Sequence, residues 1–362
     1  MALLGRQYQP GGATSNNATH DDPAWTAALN AVLALSQRRR AEQSQPQTRA
    51  AALADLAWSY AKNALEVLLP LLMRSTSLLS VQALLALASF FRGTPNPQPF
   101  FFLTAAAVRL SHSAGLHRTA PPPASADGHL AALTPADREQ RLRVFWIALV
   151  LDAGASFRTG RPCTHSVDDI GVPLPAAAPT DNLGVVLDCR GVAVLSYLRA
   201  QARFAVLEGR VYGRIFAACA AAKATEVLDE DVRELGRELE EWGCMVPGGT
   251  VGWSGGRRLE EEWGGQWLHV AGLLLAYQSC VITVHSATWQ RHFSSLRSRR
   301  CGGARDAAAS SAASFPGAEV CLSAAHEIVR LLAHVPRECT SFIWYLGTLY
   351  PPFHCKMRAN NA

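Results

Sequence analysis

Closely spaced cysteines are missing from this chain. Nine cysteines are scattered over 362 residues, none before Cys163, and the nearest two, Cys339 and Cys355, stand sixteen positions apart. A zinc finger, ribbon or cluster takes two ligands from one short loop, so a local cysteine-rich zinc module is excluded. The odd count also excludes a fully paired disulfide framework within one chain, and scattered thiols suit a reducing compartment. Charge is sparse as well: charged residues make up 17% against 49% hydrophobic, with a net charge of +5. That composition buries a core rather than staying disordered, and the mild excess of positive charge does not by itself describe a nucleic-acid surface.

Other absences narrow the function. There is no P-loop and no GxGxxG. After His326-Glu327, position 330 is Arg330 and not the second histidine of HExxH, and position 329 is Val329. Asp168-Asp169 lacks a further spaced aspartate, because position 172 is Val172. Gly252-Trp253-Ser254-Gly255-Gly256 matches a nucleophile elbow by letter, but an elbow needs a strand-to-helix turn and this stretch reads as a Gly-rich loop between helices. Of the histidines, only His112 and His117 form even a weak pair. No catalytic constellation is complete, and the expectation is a non-enzyme with no cofactor in this chain. The start, Met1 to Arg6, has too short an apolar stretch for a signal peptide. The most apolar later run, Leu268 to Val284, is interrupted by His269, Gln278 and Ser279 and reads as a buried helix.

What is present is helical periodicity. Residues 1–24 are polar and read as a disordered lead. Ala24 to Leu35 fits a short helix ending at Arg38-Arg39-Arg40, and 41–48 a linker. Ala51 to Met73 follows a 3–4 spacing that Pro70 should interrupt. Ser77 to Phe91 is apolar nearly all round, as a central helix is. Phe100 to Ala114 should end at Gly115. Thr134-Pro135-Ala136-Asp137 is a capping box that opens a helix to about Phe157. Residues 159–185, rich in Pro and Asp, connect to a long helix expected over Gly191 to Thr225. Its apolar stripe is Phe204, Leu207, Val211, Ile215 and Cys219, and its second stripe is Arg199, Arg203, Arg210 and Arg214. That arginine stripe lacks interleaved aromatics for base stacking and reads as a solvated or interdomain face. Asp229-Glu230-Asp231 gives an acidic first turn before Val232, Leu235, Leu239 and Trp242. Helices over Trp263 to His292, 317–334 and 338–349 follow, around a low-complexity insertion near 294–315. No alternating β-branched run appears. The expected fold is all-α, an irregular bundle of roughly ten helices. The expected layout is a disordered lead and short helix over 1–48, one domain over 49–350, and a tail over 351–362.

A series of landmarks then stands in order. Val81-Gln82-Ala83-Leu84 comes first, then Gly115-Leu116-His117-Arg118. Next are Glu139, Arg141, Arg143, Phe145 and Trp146, followed by Leu151-Asp152 and Gly160-Arg161-Pro162. Asp169-Ile170 leads to Val172-Pro173-Leu174-Pro175, and Leu235, Leu239 and Trp242 close the series. Together they resemble the middle homology, or regulatory, domain of fungal binuclear zinc-cluster transcription factors, over about residues 50–350. Two positions depart from the family pattern: Leu142 replaces the middle arginine of a triple, and Ala153 replaces the arginine that commonly follows the aspartate.

The resemblance implies a nuclear regulator of RNA polymerase II transcription. It implies DNA contact only through a zinc cluster whose six close cysteines this sequence does not contain. Zinc would belong to that module. The resemblance allows a homodimer or a coregulator as partner and a small-molecule effector. The other reading is a clusterless helical interaction or ligand-binding protein. Within the signature, Phe145 and Trp146 read as core and His117-Arg118 as a basic helix end. Asp152 is expected to pair with Arg161. Arg38-Arg39-Arg40 and the arginines Arg291, Arg297, Arg299, Arg300 and Arg305 read as loop charge or an import signal.

Overall fold

The computed structural model describes residues 22–74, 76–92, 94–119, 133–247, 266–300 and 317–335, with the last helix turns before residue 301 described by backbone alone. Helix α1 (Pro23–Glu42) starts on Asp22, whose side chain accepts from the Ala24 amide at 2.9 Å, with Pro23 in the first turn where its missing N–H costs nothing. It is longer than expected and runs through the three arginines. Ala24, Ala27, Ala31 and Ala34 bury its face against α2 (Gln47–Glu66), which answers with Ala57, Ala61 and Ala64. Pro70 does not break α2 at its own position. The chain breaks at Val67, and Pro70 falls in the first turn of α3 (Leu68–Arg74). Only there is a residue without an N–H free of both the lost bond and the ring clash.

Helix α4 (Leu78–Phe91) is capped by Ser77 and buried on nearly every side. It packs on α1 and α5 (Gln98–Ser113). Helix α6 (Pro135–Thr159) has the capping box complete, with Thr134 and Asp137 bonded reciprocally, and ends on Gly160 at φ 66°. These helices share one core that includes Leu84, Phe100, Phe145 and Trp146.

The chain then crosses to a second core. Where one long helix was expected, a two-stranded antiparallel hairpin stands first: β1 (Val185–Leu187) and β2 (Ala193–Ser196). Asp188 makes the turn by accepting from the amides of Arg190 and Val192 at 2.9 and 2.8 Å, and Gly191 takes φ 78°. That conformation suits glycine and no helix interior. Helix α7 (Tyr197–Val211) follows and widens into one π turn over Tyr212–Phe216. Phe204, Leu207, Val211 and Ile215 are buried, but Cys219, beyond that turn, is exposed.

Helix α8 (Thr225–Gly243) begins before the acidic triplet and buries Leu228, Val232, Leu235, Leu239 and Trp242. The Trp242 indole donates to the Ala200 carbonyl at 3.0 Å and stacks on Tyr277, which ties α8 to α7 and α9. Helix α9 (Trp267–Arg300) extends into the expected insertion, and α10 (Ala318–His334) packs on it. The stretch Trp267–Trp289 is long and apolar enough to span a bilayer, yet 72% of its most apolar window is buried here; it is the central helix of the second core.

The lead before residue 22, the serine loop at 252–256, Arg305, the rest of the insertion beyond Arg300, the 338–349 helix and the tail lie outside the described residues. The side chains of Arg291, Arg297, Arg299 and Arg300 do so too.

Candidate functional site

The signature residues meet on one feature, the strap of residues 160–182 that leaves α6 and returns along it. Gly160 turns the chain, and the Arg161 amide bonds back to the Ser156 carbonyl at 3.1 Å. The Trp146 indole, nearly inaccessible in the core, donates to the Pro173 carbonyl at 2.8 Å. Arg199 on α7 donates to the Pro175 carbonyl at 2.6 Å. Arg143 forks onto Asp181 at 2.6 and 2.9 Å and also bonds Glu139 at 2.8 Å. That fork holds the exposed Asp181 carboxyl down to about 2. Arg141 donates to the Ala114 carbonyl at 2.8 Å, one of the open carbonyls at the end of α5. Gly115, at φ 67°, turns that end toward the strap, and the Gly171 amide reaches the His117 carbonyl at 3.0 Å. Leu116 is buried beside them.

Asp152 has no accessible surface, and its partner is not Arg161. It accepts from the Thr164 amide at 2.7 Å and the Thr164 hydroxyl at 2.9 Å. Burial pushes its pKa up while those bonds pull it down. Arg161 turns the other way, with its guanidinium 4.6 Å from the Phe101 ring centre and 3.2 Å from Gln98 Oε1. The physical reason is plain: an uncharged donor pair satisfies a buried carboxylate without desolvating a cation as well. Of the departures, Leu142 packs against the first core and Ala153 is buried.

Under the strap lies a histidine cluster that the sequence hinted at only through His112 and His117. His165 of the strap, 6% exposed, sits 4.7 Å from His112 and 6.4 Å from His117 between ring centres, with its edge against Phe145. His112 Nε2, His117 Nδ1 and His165 Nε2 are buried and make no hydrogen bond. Burial, then the neighbouring rings, lowers His112 to about 4. His117 and His165 are lowered chiefly by burial, while Asp169 at the rim pulls both upward. The trio is therefore uncharged at neutral pH. Among the described residues no three His, Cys, Asp or Glu side chains are arranged to hold a metal ion. Burial pushes the nearby Cys163 thiol up to about 12, which disfavours its thiolate.

The basic stripes are already engaged. Arg210 and Arg214 pair with Glu238 and Glu234 of α8 at 2.7 and 2.6 Å. Arg38 donates to the Phe90 carbonyl and, at 3.1 Å, to the Arg92 carbonyl, so it closes the end of α4. Thr164, His165 and Asp181 carry no signal in the sequence, since each acquires its role from a partner on another element.

Comparison with known proteins places this geometry. Residues 6–184 match the fungal specific transcription factor domain. The whole chain resembles an ABC-transporter-regulating transcription factor of Aspergillus oryzae, 36% identical over 97% of this chain and 37% of the relative. A protein of the same description from Aspergillus fumigatus gives the same figures. The Fusaridione A cluster transcription factor fsdR of Fusarium heterosporum is 40% identical over 67% of this chain and 42% of the relative. The chain thus spans about two fifths of the length of the curated relatives it matches. No solved structure matches.

Proposed function

This chain belongs to the fungal specific transcription factor domain family, and from that premise we propose that it sets the activity of a nuclear transcription regulator whose DNA contact and zinc lie in a separate module. The observation that carries the reading is that the similarity to named transcription factors runs over nearly the whole chain, both cores included. The family's landmark side chains support it: they hold the strap onto α6 rather than converge on a substrate, so they define a shape and not a reaction. Under this reading the chain is not an enzyme, and its partners are a second copy or a coregulator. Genes for ABC transporters are the first targets to examine, given what the Aspergillus relatives are named for.

The test is a reporter assay. The full chain, fused to a heterologous DNA-binding domain, should change reporter output relative to that domain alone. A gel shift with the unfused chain should show no sequence-specific binding. Reporter output equal to the bare DNA-binding domain, or tight specific binding by the chain alone, would overturn the proposal.

A further inference from the structure

Three imidazoles occupy the place where the strap crosses the end of α5. His112 lies in the last turn of that helix, His117 on its exit turn and His165 on the strap. His112 stands 5.0 Å from His117 and 4.7 Å from His165 between ring centres. A cleft of about 380 Å³ opens on all three rings, and Arg118, Asp168 and Asp169 are exposed at its rim. Solvent therefore reaches the trio without any unfolding. Inside it, His112 Nε2, His117 Nδ1 and His165 Nε2 have no hydrogen-bond partner, so no bond to another side chain fixes the rings as uncharged.

The charges around the trio are unequal. Arg109 of α5 opposes a positive charge on His112 and His165, and Arg118 opposes one on His117. Asp169 of the strap favours a charge on each of the three. From α6 the cluster is faced by the Phe145 ring and by Asp152, whose carboxylate holds the amides of Thr164 and His165. Helix α7 meets the strap through Gly209 beside Val167, an apolar contact. A first imidazolium can lean on Asp169. A second, 4.7 or 5.0 Å from the first, meets like charge.

Separating the rings relieves that repulsion. His112 and His117 belong to α5 and its exit, whereas His165 is carried by the strap. The strap lies close there because Gly171 has no side chain: a Cβ on it would stand 3.1 Å from the His117 carbonyl oxygen, to which the Gly171 amide donates at 3.0 Å. The far part of the strap does not respond in the same range. The Asp181 carboxyl, held down to about 2, stays ionised on Arg143, and Trp146 keeps the Pro173 carbonyl.

We propose that residues 163–171 form an acid-released latch: when a second imidazole of the trio takes up a proton, this stretch lifts from the end of α5 while the rest of the strap and both cores stay in place, and it closes again when the acid is removed. The sign follows from the trio's depressed values. His112 is lowered to about 4 and the other two lie below the ordinary 6.5, so the open form binds more protons through that window and gains as the pH falls. Use of the latch by a regulator rests on the reading above; its opening does not.

The test is hydrogen exchange on the full purified chain at about pH 7.5 and about pH 5, corrected for the pH dependence of chemical exchange. Opening of residues 163–171 should rise about ten-fold or more at the lower pH, while α8 keeps its protection and the stretch recovers on return to the higher pH. His165→Phe should be as protected at the lower pH as at the higher. His117→Gln should weaken the response, and it decides the matter if the phenylalanine variant does not fold. Asp152→Asn, which keeps an acceptor for Thr164 without an acid group, should respond like the parent. The proposal is overturned if the stretch is equally protected at both pH values, if α8 opens in parallel with it, if a folded His165→Phe responds like the parent, or if Asp152→Asn abolishes the response. Because exchange is read on the purified chain, a failed reporter assay leaves the latch standing, and a failed latch leaves the regulatory reading standing.

Discussion

Asp152 on α6 takes hydrogen bonds from both the amide and the hydroxyl of Thr164, at 2.7 and 2.9 Å, and this pairing closes the strap over the middle of the helix. Both oxygens of a fully buried carboxylate are served by one residue twelve positions further on. The strap is therefore fixed where it leaves α6, and the contacts of Trp146 and Arg143 extend that fixation along its length.

Thr164→Val keeps the shape and removes the hydroxyl. One oxygen of Asp152 is then left short of a donor, at a cost of about 1–3 kcal/mol. Urea denaturation should show a lower midpoint with an unchanged slope, and Thr164→Ser should recover most of the loss. Equal stability of the valine variant and the parent would mean that the pair does not hold the strap.

Trp146→Phe leaves the Pro173 carbonyl without its donor and a gap in the first core, costing about 1–3 kcal/mol. The specific consequence is local. In hydrogen exchange the amides of Thr164 and Gly171 should lose protection more than those of α8 do. Uniform loss across both cores would show a packing role only.

Acid should loosen the strap. His112 titrates near 4 when folded against 6.5 for an ordinary histidine, and His117 and His165 are lowered too. Between those values the unfolded chain binds more protons than the folded one, so stability falls as the pH drops from about 6.5 toward 4. Tm should be flat above neutrality with respect to these groups and decline through that window. His165→Phe, placed against Phe145, should make the decline shallower; an unaltered slope would assign the acid sensitivity to other groups.

The pairs between α7 and α8 are predicted to matter little. Arg210→Ala and Arg214→Ala should each cost about 1 kcal/mol or less, and high salt should erase the difference. Leu235→Ala, in the core beneath them, should cost about 2–5 kcal/mol. A larger effect from the arginines would mean that the seam is electrostatic rather than apolar.

What could be read from the sequence was local. The capping box at Thr134, the stop at Gly115 and the buried character of α4 each depend on a few adjacent residues, and each appears as expected. Pro70 was legible as a breaker but not the place of the break, because the chain relieves the clash by starting a new helix at Leu68, two residues before the proline. Gly191 looked like a helix start only because its positive φ is invisible in letters. The site was legible as a set of landmarks and not as contacts. Arg143 finds Asp181 thirty-eight residues away, and the histidine trio joins the end of one helix, its exit turn and the strap. The expected charge pair at Asp152 failed for a related reason: complementary charge is only one way to satisfy a buried carboxylate, and a hydroxyl with an amide beside it is another.

The edge of the family match, residue 184, falls between the two cores. Anyone expressing the matched stretch by itself would obtain α6 with Phe157, which packs in the second core, facing water and nothing to cover it. Such a piece would self-associate or fail to accumulate, and its poor behaviour would say nothing about the intact chain. Useful fragments for crystallisation or for partner screens must run at least to α10.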